Sequence, residues 1–367
     1  MKVRRIDSRR DFNDLAPLWS ELAREGGHTS PFLSHDWFAC CWDAGGPARR
    51  AEVLLVEDAA GPVALVPLAR WRGALHRAPA RFLGMLTAPD TAFVDWLIAG
   101  RPEPVVEAVL DELSRSADWD VLEVSALPVD SPTVKALETC LRGRLGWQRG
   151  VTLRSPHVTI TGTWDTYWTA KSQRFKKTIR SVRNRLAKAG TVSIEEHRQV
   201  SPESPVFAEL LDVSRRSWKA GEGVAIATMP GMPGFFQALT ERASRNGWLR
   251  VWILRLDGRA IATEYQLEAD GRVHALRADF DASLPEELSP GSHLSYEILR
   301  ALFGREGVHE YDMGPGENPY KARWASGARE TVHLRGFRPG LYGAMLHGLE
   351  TRAVPALRRL VGKGAAR

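Results

Sequence analysis

Apolar positions recur along this chain at two different periods, and the alternation between them sets out its plan. Phe12, Leu15, Leu18, Trp19 and Leu22 fall at helical spacing within residues 11–24 and predict an amphipathic helix. A second helix is expected around Trp37 and Trp42. The rhythm then changes to AEVLLVEDAAGPVALVPLAR at 51–70, two short runs rich in valine and leucine broken by Asp58 and Gly61, which read as a hairpin. Residues 103–116 return to a helical pattern, and VLEVSAL at 121–127 reads as a strand.

The same order comes back in the second half. Helical patterns cover 204–219 and 232–246, and LRVWILRL at 249–256 reads as a strand. Asp257-Gly258 and Asp270-Gly271 are turn pairs that separate it from AIATEYQLEA and RVHALRADF. A helix over 292–305 then leads into VHEYDMG, again strand-like. The halves correspond by element and not by identity: VLLVEDAAGPVALVPLA answers to VWILRLDGRAIATEYQL, and the 103–127 helix–strand pair to 292–314. Such a match suggests an internal duplication with a period too long for a solenoid. Antiparallel hairpins followed by a helix and a strand predict an α/β chain of the α+β type, each half a mixed, mostly antiparallel sheet flanked by helices. The expected divisions are 1–150, 151–335 and a basic tail from 336 to 367, with the boundary between halves near 148–155.

Composition changes this picture only slightly. The 367 residues carry a formal charge of +6, and 44% hydrophobic and 26% charged content are ordinary for a globular protein. The basic excess makes phosphorylated cofactors, nucleic acid or acidic membranes plausible partners without choosing among them. Cys40, Cys41 and Cys140 form neither a disulfide framework nor a zinc-ligand spacing, so no metal is expected. MKVRRIDSRRDF has no apolar run behind it, and no window approaches the roughly 20 apolar residues of a membrane span. The expected location is the cytoplasm, with contact to the inner face of the membrane left open. The 13 tryptophans decide little; Trp164, Trp168, Trp218 and Trp324 suit an acyl tunnel, though core packing is the commoner role.

Charge placement is more informative than its sum. KSQRFKKTIRSVRNRLAKAG at 171–190 holds eight Lys or Arg residues and no acid, and ends at Gly190, a natural helix stop. Phe175, Ile179, Val182 and Leu186 form one apolar stripe, so the remaining surface is almost uniformly basic. That surface suits recognition of phosphate, on a coenzyme, an acceptor, tRNA or anionic lipid. The tail GLYGAMLHGLETRAVPALRRLVGKGAAR reads either as a docked terminal helix or as a basic amphipathic segment on a membrane surface.

Ser289-Pro290-Gly291-Ser292 lies between a strand pattern and a helix pattern. A helix start exposes unpaired N–H groups and partial positive charge, and glycine permits close approach, so this turn suits a phosphate. With PFLSHDWF at 31–38, the basic helix, LSPGSHL at 288–294 and YDMGPGENPYKARW at 311–324, the chain resembles GNAT-superfamily acyltransferases over about 30–335. More narrowly it resembles the CelD-like branch associated with exopolysaccharide or cellulose biosynthesis, which is related to the FemABX transferases. The resemblance implies that Ser289, Gly291, Ser292 and His293, with Lys176, Lys177 and Arg180, hold an acyl-coenzyme A co-substrate, with no permanently bound cofactor. This turn has only one glycine where the GNAT loop usually has more. AGRPEPVV at 99–106 has no such turn, so the first half is expected to be a degenerate copy shaping the acceptor site.

The resemblance also implies direct attack by an amine on a thioester lying between two splayed strands. Position nominates Glu264, His274, Asp279 and Asp312 for the proton transfers. Tyr320 and Lys321 follow a glycine- and proline-rich turn where a loop would return over the site. By resemblance to Fem-type enzymes, Lys321 stands near the reacting carbonyl and Tyr320 is a proton donor to the thiolate. The expected function is N-acyl transfer from acyl-coenzyme A to an amine of an envelope glycan or an amino lipid such as a sphingoid base. The alternatives are a FemABX-like transferase using aminoacyl-tRNA and a GNAT-like binding protein without catalysis.

Overall fold

Each run that reads as a strand becomes one in the computed structural model, which describes residues 1–46, 48–144, 146–150 and 153–354. The chain begins with β1 (Lys2–Ile6), α1 (Arg9–Asp14), α2 (Ala16–Glu25) and α3 (His35–Ala44). The single helix expected over 11–24 is therefore two. Pro17 lacks an N–H for the Asn13 carbonyl and its ring would crowd it, so α1 ends and α2 restarts with Pro17 in its first turn. Then come β2 (Arg49–Glu57), β3 (Pro62–Leu75), β4 (Ala78–Met85), β5 (Leu97–Ile98), α4 (Pro102–Arg115), β6 (Val121–Pro128), α5 (Pro132–Leu141) and β7 (Gly146–Arg149).

The chain continues through β8 (Leu153–Thr159), α6 (Trp164–Thr169), α7 (Gln173–Ala189), β9 (Val192–His197), α8 (Pro205–Arg216), α9 (Trp218–Gly221) and α10 (Met232–Arg245). A meander of β10 (Leu249–Leu256), β11 (Arg259–Ala269) and β12 (Arg272–Phe280) follows. Its turns place Asp257 and Gly258 at φ 49° and 80°, and Asp270 and Gly271 at 48° and 68°, so both central residues of each hairpin are left-handed, as tight turns of this type require. The remaining elements are α11 (Pro290–Phe303), β13 (Glu310–Asp312), α12 (Pro319–Trp324), β14 (Gly327–Phe337) and α13 (Leu341–Gly348). Of the expected tail, 336–337 close β14 and α13 follows; residues 355–367 lie outside the described residues.

Contacts divide the chain into two units, one made of Met1–Leu153 with the stretch from Glu330 on, the other of Arg154–Arg329. In the first unit the strand order is β1-β2-β3-β4-β6-β14-β7, with β5 on β3. All its pairings are antiparallel except β4 with β6, because α4 carries the chain back to start a parallel strand. In the second unit the order is β9-β10-β11-β12-β13-β8, and again only the pair flanking the crossover helix, β12 with β13, is parallel. Each unit thus builds a meander, a helix and a parallel strand in that order.

The second unit's core explains why so basic a helix stays docked. Phe175, Ile179, Val182 and Leu186 of α7 are buried with Leu294, Ile298, Leu299 and Leu302 of α11. At about 1.5–3 kcal/mol per buried large apolar side chain, the stripe outweighs repulsion between exposed cations on the other face. Trp164 stacks on Trp168 at 5.3 Å, and Trp168 on Trp324 at 6.1 Å, within the same core; Trp218 is exposed. Among the described residues no helix is long and apolar enough to cross a membrane.

Candidate functional site

Where β12 and β13 part is the natural place to look for a ligand. They pair only through Arg272↔Glu310, Val273↔Tyr311 and His274↔Asp312. Asp312 then turns its carboxylate to accept the Gly314 N–H at 2.7 Å, which ends β13 and swings the chain away. Gly314 has φ +76°, and a Cβ there would lie 3.1 Å from the Ala275 carbonyl, so the turn at this spot needs glycine. Meanwhile β12 runs on from Ala275 to Phe280, held by β11 on one side and, among the described residues, by no strand on the other. An extended polar chain could use that edge for backbone hydrogen bonds.

The loop after β13 returns to the start of α11. Asn318 caps α12, accepting the Lys321 N–H at 2.8 Å. The Lys321 ammonium donates to the carbonyls of Gly314 at 2.9 Å and Pro315 at 3.0 Å, pinning the loop. Partial burial lowers its pKa, against the pull of the Asp312 charge. The hydroxyl of the half-buried Tyr320 donates to Ser295 Oγ and lies 3.5 Å from the Gly291 carbonyl. Burial pushes its pKa up, so the phenol stays protonated. The two segments singled out by sequence, 288–294 and 311–324, therefore meet.

Ser289 takes φ 39°, a left-handed conformation unusual for a residue with a side chain, immediately before α11. Its hydroxyl donates to Ser292 Oγ at 2.8 Å instead of capping a backbone amide. Pro290 has no N–H, and the Gly291 N–H lies in the first helical turn with no intrahelical acceptor, so it points outward from the helix start. His293 is buried there, and burial lowers its pKa. Helix α7 lies against this region: Arg185 donates to the Glu287 carbonyl at 2.8 Å, and Arg183 sits 5.0 Å over the Tyr296 ring. Lys176 bonds the Thr169 carbonyl at 3.0 Å, whereas Lys177 and Arg180 are exposed and make no ion pair among the described residues.

The carboxylates separate into distinct environments. Glu264 on β11 is fully buried and accepts the Tyr311 hydroxyl at 2.5 Å and the Gln266 amide at 2.7 Å. Burial raises its pKa, with those donors and the Lys219 charge opposing. Asp279, near the end of β12, is buried beside the Lys219 ammonium at 2.9 Å, which also bonds the Ala278 carbonyl at 2.7 Å. Burial pushes the Asp312 carboxyl up, and the Gly314 N–H and Arg329 work against it. His274 lies in the paired part of β12 opposite Asp312, and burial lowers its pKa to about 3, leaving it neutral. Lys219, Tyr311, Gln266 and Gly314 join the site without having been nominated by sequence. Tyr311 and Gly314 lay inside the quoted 311–324 motif; Lys219 reaches Asp279 from 60 residues away and had no local signal. Among the described residues no cluster of His, Cys, Asp or Glu suits a metal ion.

The first unit repeats the parting and sets an arginine in it. β4 and β6 pair through Phe82↔Val121, Leu83↔Leu122 and Gly84↔Glu123 before diverging. Here the Arg49 guanidinium donates to the carbonyls of Met85 at 2.9 Å and Thr87 at 2.8 Å. It lies 5.0 Å over the Trp71 ring, at one wall of a cavity of about 460 Å³ that Arg72, Glu123 and Ser125 also line. Helix α4 starts at Pro102 with no side-chain cap and no serine-rich turn.

Comparison with known proteins agrees with this architecture. Residues 173–322, the span from α7 to Lys321's neighbour Ala322, match the model of an acetyltransferase (GNAT) domain. No curated protein matches the chain in sequence. Among solved structures the chain is similar to FemX, with 11% identity, 91% of this chain and 97% of that one covered, and a TM-score of 0.57. It is similar to a tandem GNAT protein from the clavulanic acid biosynthesis pathway, with 13% identity, 93% and 100% coverage and a TM-score of 0.53. The C-terminal domain of a putative lysylphosphatidylglycerol synthetase from Agrobacterium fabrum gives 15% identity, 94% and 96% coverage and a TM-score of 0.53. At such identities the likeness concerns the fold, and the fold is that of the GNAT acyltransferase superfamily.

Proposed function

We propose that this chain is an N-acyltransferase that moves an acyl group from acyl-coenzyme A to an amine, with the donor held by the second unit. The observation that carries the reading is the parting of β12 from β13 beside the open start of α11, inside the segment that matches the GNAT domain. In this reading the pantetheine arm lies along the free edge of β12. The pyrophosphate meets the Gly291 N–H, the Ser289 and Ser292 hydroxyls and the His293 ring, with Lys176, Lys177 and Arg180 adding positive potential. The neutral amine attacks the thioester carbon; the C–N bond forms as the C–S bond breaks. Asp279, with Lys219 beside it, receives the amine proton directly or through water. Lys321 faces the oxyanion, and Tyr320, kept protonated by burial, supplies the proton that the thiolate takes up. Glu264 and Asp312 are buried and hold Tyr311 and Gly314 in place, and His274 is buried opposite Asp312.

The first unit, whose own parting holds Arg49 at the wall of a cavity, would serve the acceptor, an envelope glycan or an amino lipid. A second reading follows from the likeness to FemX: the donor is an aminoacyl-tRNA and the basic face of α7 meets its phosphates.

Thermal stabilisation separates these readings. A ligand that binds only the folded state adds about 2.7 kcal/mol at 100 times its dissociation constant. Coenzyme A and its acyl esters should raise the melting temperature, and acyl chain length should rank them. If none does in a folded sample while tRNA binds with steep salt dependence, the coenzyme A reading is wrong and the tRNA reading takes its place.

A further inference from the structure

Helix α13 is apolar on the outside. Of the exposed large apolar side chains among the described residues, three fall on this one short helix: Leu341 at 94%, Met345 at 44% and Tyr342 at 42% relative exposure. Its other face is fully used. Gly343 packs so closely that a Cβ would strike the Arg338 backbone, Leu346 is buried, and His347 lies 5.1 Å from the Phe337 ring. Leu341, Ala344 and Met345 stand at helical spacing on the outer side, and the exposed Arg352 lies in the π-helical turn that follows α13. A leucine this exposed gains nothing from the folded chain.

Three arginines flank this face, and Asp120, which lies near Arg338, is itself paired with Arg81. Of the six Lys or Arg residues that the sequence holds from Gly336 onward, Arg338 and Arg352 are among the described residues, and the single acid is Glu350. That acid is turned inward, where it accepts from Arg335 at 2.6 Å and Gln148 at 3.0 Å and pairs with His76. Arg338 precedes α13, Arg352 follows it, and the neighbouring β3–β4 turn, held by a bond from the Tyr342 hydroxyl to the Pro79 carbonyl, adds the exposed Arg77. Apolar side chains projecting between cations match the boundary layer of an anionic bilayer, where the first enter the acyl region and the second meet lipid phosphates. Nucleic acid would satisfy the cations but give the leucine and methionine no partner.

We propose that α13 docks the protein on an anionic phospholipid surface, with Leu341 and Met345 entering the lipid and Arg77, Arg338 and Arg352 contacting headgroups. The proposal is independent of the acyl-transfer reading, since the residues it names lie outside the proposed donor site.

The test is co-sedimentation of the full chain with vesicles of phosphatidylcholine, alone or mixed with phosphatidylglycerol. The protein should sediment with the mixed vesicles only and be released by salt. Leu341→Glu combined with Met345→Glu should weaken binding by about tenfold or more while leaving the melting temperature and the coenzyme A response unchanged. Arg352→Glu should weaken binding to mixed vesicles and reduce its salt dependence. Three results would overturn the proposal: no sedimentation with either vesicle, equal sedimentation of the glutamate variant, or light scattering that shows the same variant turning a dimer into a monomer without lipid binding. Retention on tRNA in place of vesicles would overturn it equally.

Discussion

Replacing Gly314 by alanine would test whether the parting of β12 and β13 depends on one backbone turn. Two penalties add. A residue with a side chain held at φ +76° costs about 1–2 kcal/mol. The new methyl group would also sit 3.1 Å from the Ala275 carbonyl, a few tenths of an ångström inside ordinary contact. That carbonyl cannot simply withdraw, because Ala275 pairs with Gln266 in the β11–β12 ladder, so overpacking adds about 1–3 kcal/mol. Gly316 provides the control: its φ is +89°, but nothing lies within 4 Å of an added Cβ, so Gly316→Ala should lose only the first 1–2 kcal/mol or so. Hydrogen exchange of peptides from 249–314 under increasing urea reports on the second unit by itself. Gly314→Ala should cost about 2–5 kcal/mol in all and blunt stabilisation by coenzyme A, whereas Gly316→Ala should not blunt it. Equal losses from the two substitutions would show that the turn is not packed against β12, and the account of the parting would fail.

Three further outcomes are expected. Lys321→Ala should lower kcat by about 100-fold or more with little change in donor binding, because the ammonium acts on charge that develops during transfer; a kcat within a few-fold of wild type would remove Lys321 from the reaction. Asp281→Asn should destabilise the second unit by about 2–4 kcal/mol at neutral pH, since Arg216 and Arg259 both pair with that buried carboxylate. Burial alone would raise the Asp281 pKa, but the Ser283 hydroxyl and N–H and the two arginines bring it below the usual value. The stability it contributes is therefore present above the unfolded value near 3.8 and lost as pH falls through the lower folded one, and acid unfolding curves of the variant should lack that component. Glu264 has the opposite sign: burial raises its pKa, so its contribution is complete below about pH 4.5 and declines as pH rises through the folded value. Glu264→Gln should compare more favourably with wild type at pH 8 than at pH 4, read from urea midpoints.

How much of this was legible in the sequence follows from how local each cause is. The Asp-Gly hairpins, the apolar stripe of α7 ending at Gly190 and the crossover helices α4 and α11 all declare themselves within a few residues. Strand β8 does not: its LRSPHVT shows no alternation, because only part of it is buried. Strand β9 reads as acidic loop, VSIEEH, and becomes an edge strand because Arg255 takes up Glu195 and Arg305 takes up Glu196. Of the site, the Ser-Pro-Gly turn and the Tyr-Lys pair were visible as residue types. Their meeting through Ser295 and the capture of Asp279 by Lys219 depend on contacts 25 and 60 residues apart, which no local pattern encodes.

The order of synthesis gives β14 a consequence of its own. The first unit is written in two pieces, and the strand that covers β6 from Val121 to Pro128 arrives only after Arg329 has been made. During synthesis there is therefore an interval in which the second unit already has all of its strands while β6 still shows a bare, valine-rich edge. During that interval the edge is open to pairing with other chains, and a chaperone that shields it would matter more to the yield of folded protein than to its final stability.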